Sequence, residues 1–439
     1  MIAAGDPRVL VAPGQRRTSD GTLAIGDVDV ATLAQRFGTP LVVFDAATFE
    51  RTLAEYEAAC APHGIALAYA GKAFLVVGLA RRLAAHPALE LDVCSLGEIA
   101  TAERGGFPAE RMYLHGCGKS DAELDAAIAG RVGRIVVDGI AELEQLAERA
   151  GNKPVEIGLR INTGIQAHTH EFVRTGGENT KFGIAPQDLE RALDLLDRAP
   201  TFACGTLHAH IGSQIFDEAP FAANLEALLE EAARAHRRGR TVQRLILGGG
   251  FGVDEDLTAP AAFDPAAILA DLAERSRAGA ARAGIPPVRL GIEPGRALVA
   301  SAGTTLYRIV AIKDAGERRF VVIDGGMADN PRPAIYGAFH QPLVARSAAK
   351  GPLRRVTLCG RSCENDEMVE AELPGDLAAG DLLALCTTGA YTYAMASNYN
   401  RFPRPAVVEV ESEVEIDGAN VRLLARRETL DDVLRCDVL

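Results

Sequence analysis

The chain has 439 residues, 48% hydrophobic and 24% charged, with its 44 Gly and 22 Pro spread along it, which excludes the disordered and fibrous classes and leaves room for roughly two or three domains. Its 46 Lys plus Arg against 59 Asp plus Glu give a formal charge of −13, which repels phosphate backbones and acidic lipid, so no nucleic-acid or membrane partner is expected. No signal-peptide core is visible and no run reaches the ~20 apolar residues of a membrane span, so the expectation is a cytoplasmic protein.

In chain order, residues 1–40 are too few for a core of their own and are expected to join a later β domain. From 41 to 298, short β-branched runs alternate with Ala/Leu/Glu/Arg-rich stretches of helical period, the sign of a parallel sheet wrapped by helices. After a leading strand at 41–45, strands are expected at 65–71, 89–93, 111–116, 134–139, 155–162, 204–212, 244–250 and 289–295. Eight such units predict an α/β fold built as a (β/α)8 barrel, with an open doubly wound sheet as the competing architecture. From 299 to 439, runs such as TLYRIVAIK, RFVVID and RVTLCG predict a second, mainly β domain. The eight cysteines show no paired CxxC spacing and read as free thiols.

Barrel active sites lie at the C-terminal ends of the strands, so the residues that end each predicted strand carry the argument. Lys72 is the only charge in the stretch 65–80; apolar surroundings favour its neutral amine, which can form a Schiff base, while a lysine reaching to solvent is the competing reading. Gly248, Gly249, Gly250 and Gly252 follow a buried strand, where missing side chains let backbone N–H groups approach a phosphate, or simply make a turn. Glu293 and Arg296 end the eighth strand, either as a ring-nitrogen partner and a phosphate fork or as a structural ion pair. His208 and His210, two apart on one strand, face the same way; metal ligands, satisfied core histidines and, for His210, a ring lying against a planar cofactor are all open. Gly118-Lys119-Ser120 lacks the first glycine of a nucleotide P-loop, because Tyr113 stands there. Together these features describe a pyridoxal phosphate (PLP) site.

The runs YAGKAF (69–74), DVCSLGEI (92–99), AHTHEFVRTGGENTKFGI (167–184), HAHIGSQ (208–214), GGGFG (248–252), EPGR (293–296), GGMADNPRPAIY (325–336), CGRSCEN (359–365) and GAYTYAMASNYNRFPRPA (389–406) then identify a resemblance. The chain resembles the PLP-dependent amino-acid decarboxylases with an alanine-racemase-like barrel, and within them the diaminopimelate decarboxylase branch. The resemblance implies a catalytic set of Lys72, His210, Glu293 and Cys363. Cofactor contacts are implied at Lys72, Asp92, Glu98, Arg160, His210, Ser213, Gly248, Gly249, Gly250, Glu293, Gly295, Arg296 and Tyr391. Substrate contacts are implied at Arg296, Arg332, Tyr336, Glu364 and Tyr391, and Cys363 with Glu364 is implied to come from the partner subunit of a homodimer. Arg361 and Asn365-Asp366-Glu367 depart from the commonest pattern, on the loop that faces the distal end of the substrate.

The implied reaction is decarboxylation of meso-2,6-diaminopimelate to L-lysine and CO2. A decarboxylase of ornithine, arginine or lysine is the alternative, against which Arg332 and Tyr336 argue, since those substrates carry no distal carboxylate. A non-catalytic PLP carrier and a metal-dependent barrel hydrolase using the two histidines are the readings from other classes.

Overall fold

Short runs that are apolar on both faces suit strands covered on both sides, and all eight expected runs overlap strands. They are Ala66–Ala70, Glu90–Val93, Met112–Leu114, Arg134–Val137, Val155–Arg160, Phe202–His208, Arg244–Ile246 and Arg289–Ile292, each parallel to the next. Gly291 opposite Ala66 and Ile292 opposite Leu67 join the last strand to the first, so the sheet is a closed barrel and the open sheet is ruled out. The helices between strands are amphipathic: Leu189–Arg198 buries Leu189, Ala192, Leu193 and Leu196, the spacing of a single helix face. Asp121–Ile128 starts at a capping box made by Ser120 and Glu123.

This computed structural model describes residues 10, 12–165, 180–255, 264–346, 351–411 and 420–438; residues 167–179 of the run AHTHEFVRTGGENTKFGI lie outside them. The chain divides into two compact units. One comprises Ala54–Gly252 and Phe263–Ala297 and contains the barrel; the other comprises Met1–Leu53, Val253–Ala262 and Leu298–Leu439.

The second unit is mainly β. Its large sheet runs in the order Glu367–Pro374, Leu353–Cys359, Arg318–Ile323, Gly303–Ala315, Leu41–Asp45, Ala406–Val410, Val421–Ala425, with Leu382–Leu385 also pairing Gly303–Ala315. Leu41–Asp45 corrects the expected organisation. Expected to lead the barrel, it instead lies antiparallel to Gly303–Leu306 and parallel to Ala406–Val410. All five residues are buried, and a strand apolar on both faces reads alike in either sheet, so only its distant partners decide where it goes. Leu23, Ile25, Val30 and Leu33 share a core with Leu41, Leu306 and Leu343. A second core gathers Tyr307, Ile309, Val321, Leu358 and Leu373.

Candidate active site

The strand ends of the barrel unit gather a dense set of polar groups. Lys72 sits in a single turn, Gly71–Ala73, straight after the first strand. Gly295 packs against that turn so closely that a Cβ there would meet Ala70 and Ala73 at 3.1 Å, and Ala70 N donates to Pro294 O at 3.2 Å. The Lys72 turn and the Glu293–Arg296 run are therefore neighbours. The apolar surroundings expected for Lys72 are not what it meets. It is exposed, and its charge acts on Asp92, Cys94, Glu98 and His210.

Those groups respond to burial first. Asp92, which follows Leu91 in the second strand, is pushed above the usual carboxylate range by burial, against the pull of His115, Lys72 and Arg160. Glu98, one turn into the next helix, accepts a 2.6 Å bond from Cys94 N and is raised to about 7 by burial. Arg160 Nη1 donates to Asp138 at 3.3 Å, and its guanidinium lies over the Phe182 ring.

Glu293 is the centre of the arrangement. His208 Nε2 lies 3.0 Å from Oε2 and His115 Nε2 lies 3.1 Å from Oε1, with all three side chains buried. Burial alone would raise the carboxylate, but the two imidazoles outweigh it and hold Glu293 well below its usual range. Burial lowers His208 to about 4, so it is neutral and donates from Nε2. The three offer ligand atoms within 4.8 Å of one another, the spacing a cation would need. His208 Nε2 satisfies Oε2 by a hydrogen bond, whereas His115 Nε2 and Glu293 Oε1 lie close without hydrogen-bond alignment and both lack a partner among the described residues.

His208 and His210 do not lie on one strand, as the expected run 204–212 would have had them. The strand ends at His208, and His210 lies beyond it with Nδ1 accepting from Gly249 N at 3.3 Å. The alternation rule ceased to apply one residue before His210. His115, which the sequence reading did not single out, takes the place expected of a second histidine; it directly follows the third strand, so the strand-end rule points to it as well. Lys119 is a buried structural cation paired with Glu142 at 2.8 Å, consistent with the failed P-loop match.

The glycine run forms a wall with no room for side chains. A Cβ on Gly249 would fall 2.2 Å from Glu293 O, and one on Gly250 2.4 Å from Gly212 O. Gly248 and Gly250 also take positive φ of 72° and 103°, which glycine alone adopts freely. Arg296 donates from Nε and Nη2 to Ser213 Oγ, both at 3.4 Å, beside Gly212. A bare backbone, a guanidinium and a hydroxyl are the groups a phosphate cradle requires, and a buried anion flanked by two histidines suits a protonated ring nitrogen. The residues present fit PLP.

In the β unit, Cys363 and Glu364 are exposed; Cys363 N donates to Asn400 Oδ1 at 3.0 Å and Tyr399 Oη bonds Glu364. Tyr391 takes a positive φ of 57°. Arg332 opens the short helix Arg332–Tyr336, is buried, and forms a two-pronged ion pair with Glu255, a residue that no motif marks.

A sequence model of the family described as pyridoxal-dependent decarboxylase, pyridoxal binding domain, matches residues 46–300. The chain is 39% identical to the diaminopimelate decarboxylase of Bacillus subtilis, over 96% of this chain and 97% of that one. It is 42% identical to the diaminopimelate decarboxylase of Actinosynnema pretiosum, over 96% and 94%. The crystal structure of diaminopimelate decarboxylase from M. jannaschii in co-complex with L-lysine superposes with a TM-score of 0.87 at 27% identity, over 98% of each chain. With a matched cofactor-binding domain and relatives this similar along nearly its whole length, the chain belongs to the pyridoxal-dependent decarboxylase family.

Proposed function

We propose that the protein is a PLP-dependent carboxy-lyase that converts meso-2,6-diaminopimelate to L-lysine and CO2, the last step of lysine biosynthesis. The observation that carries this is the identity of 39% and 42% to diaminopimelate decarboxylases over 96% of the chain.

In the barrel unit, Lys72 would carry the cofactor, Arg296, Ser213 and the backbone of Gly248–Gly250 would hold its phosphate, His210 would lie against its ring, and Glu293 would face the ring nitrogen. When bound, PLP supplies an electron sink for the pair left behind as CO2 departs. Glu293, kept anionic by His115 and His208, holds the proton at the ring nitrogen and so keeps that sink deep. Lys72 Nζ would anchor the cofactor, and its exposure would leave it open to displacement by the α-amine of the substrate. The proton returned to the α-carbon comes from Cys363 Sγ or Lys72 Nζ, alternatives that solvent-isotope exchange in a Cys363→Ser variant separates.

In the β unit, Arg332 would take the distal carboxylate of the substrate, Tyr336 would add a hydrogen bond, and Glu364 would pair with the distal ammonium. The exposure of Cys363 and Glu364 supports a homodimer in which each subunit lends this loop to its partner; a cytoplasmic location is proposed from the biosynthetic activity alone. Among the described residues no helix is long and apolar enough to cross a membrane.

The test is to supply purified protein and PLP with diaminopimelate, lysine, ornithine or arginine and to measure CO2. Release from diaminopimelate alone is expected; release from ornithine, arginine or lysine at comparable rate overturns the assignment.

A further inference from the structure

A receptor for a carboxylate must present a free fork, and in Arg332 the fork is full. Nη1 donates to Glu255 Oε1 at 3.0 Å and Nη2 donates to Glu255 Oε2 at 2.9 Å. The pair is desolvated: Arg332 is 3% exposed and Glu255 9%. His340 occupies another side of the guanidinium. Its Nδ1 lies 3.1 Å from the Cys386 carbonyl, which can only accept, so the hydrogen sits on Nδ1 and the Nε2 lone pair faces Arg332 Nη1 at 3.4 Å. Only Arg332 Nε is left without a partner among the described residues.

We propose that Glu255 is an internal occupant of the distal-carboxylate receptor: it fills the fork of Arg332 when no substrate is bound and is displaced by the distal carboxylate of the substrate. The proposal rests on Arg332 being that receptor, as in the function proposed above.

A guanidinium buried with no counter-ion is costly, and Glu255 removes the cost while holding the planar fork in the geometry a second carboxylate needs. Replacing one carboxylate by another conserves both charge-assisted hydrogen bonds to Arg332, so the cost of the exchange is that of moving the Glu255 carboxylate out of the fork. A ligand with only a distal ammonium offers Arg332 nothing and leaves Glu255 in place. Glu255 also has a price in selectivity. While it sits in the fork Arg332 is neutralised, and the repulsion a bare guanidinium would exert on lysine, ornithine or arginine is muted. Apparent affinity for diaminopimelate is the intrinsic affinity multiplied by the fraction of molecules in which the fork is open, so a fork filled nine-tenths of the time weakens binding about tenfold. Glu255 is thus a specificity-determining residue, and neither it nor Arg332 lies in a strand, so the exchange breaks no sheet hydrogen bond.

The experiment measures kcat and KM for diaminopimelate, and turnover of lysine and ornithine, in wild type, Glu255→Gln and Glu255→Asp. Glu255→Gln is expected to lower KM for diaminopimelate by roughly tenfold, with the change confined to KM, and to give no gain on lysine or ornithine. Glu255→Asp keeps the charge on a side chain one methylene shorter and should fall between. A KM that rises, as it would if Glu255 merely positioned Arg332, or one that stays unchanged, overturns the proposal, as does new activity on ornithine. If circular dichroism shows Glu255→Gln to be unfolded, Glu255→Asp decides alone: a KM below wild type supports, an equal or higher one refutes. Wild type that releases no CO2 from diaminopimelate removes the functional reading and this proposal with it; wild type that does, with KM unmoved in both variants, removes only the role of Glu255.

Discussion

Glu293 accepts a 3.0 Å hydrogen bond from His208 Nε2 in a site where neither residue is more than 5% exposed. A charge-assisted bond in such surroundings is strong, and it keeps anionic the carboxylate proposed to face the ring nitrogen of the cofactor. His208→Phe keeps a ring but removes the donor. A loss of roughly tenfold to a hundredfold in kcat is expected, the worth of one hydrogen bond to a charged group, together with an altered visible spectrum of bound PLP. An unaltered spectrum and rate would show that Glu293 does not depend on His208.

The glycine wall gives a sharper result. A Cβ at Gly249 would lie 2.2 Å from the Glu293 carbonyl oxygen, a backbone atom that cannot swing aside. Gly249→Ala should therefore shift the seventh and eighth strand ends apart and weaken PLP retention, read as cofactor lost on gel filtration. Full retention of PLP argues against the cradle.

If the Cys363 loop is lent across a homodimer, Lys72→Ala and Cys363→Ala should each be nearly inactive and should complement. After free subunit exchange of equal amounts, half the dimers are mixed and each has one intact site, so roughly a quarter of wild-type activity should return. Exchange proven by mass spectrometry without recovery of activity would place both residues in one subunit's site.

Breaking the buried Arg332–Glu255 pair from either end leaves a lone charge. Arg332→Met should cost about 3 kcal/mol or more of stability in denaturant titration, and adding Glu255→Gln should restore much of it. If the two losses simply add, the pair is not a coupled ion pair.

Glu98 predicts a pH dependence. Burial raises it from 4.5 to about 7, so in that interval the folded chain holds a proton that the unfolded chain has already released. Stability then falls as pH rises through the interval, and the whole penalty is present above about 7. Glu98→Gln keeps an oxygen for Cys94 N and cannot ionise. Its advantage in Tm over wild type should grow between the acid and alkaline sides of that interval; a difference independent of pH would mean that Glu98 does not titrate there.

The barrel was legible because each strand is a short apolar run ended by glycine or a polar residue, and strand ends are where barrel chemistry sits. Leu41–Asp45 was not, because its partners Gly303–Leu306 and Ala406–Val410 lie far along the chain and a local pattern contains no register. The surroundings of Lys72 misled for a related reason. The stretch around it is apolar in sequence, but in a barrel the neighbours of a strand end are the ends of the adjoining strands, which here bring Asp92 and Glu98. His115 was within reach of the strand-end rule. Glu255 was not, since nothing about a lone glutamate after a glycine run predicts a guanidinium from beyond the barrel sequence.

Gly303–Ala315 lies between two hydrophobic clusters: Leu306 points into one and the adjacent Tyr307 into the other. The same backbone also pairs with Leu41–Asp45, Leu382–Leu385 and Arg318–Ile323. Neither cluster can open without stripping hydrogen bonds from the strand that lines the other. The two therefore form one cooperative foldon, and amide protons along Thr305–Ile309 are set to exchange with solvent only when the whole β unit unfolds.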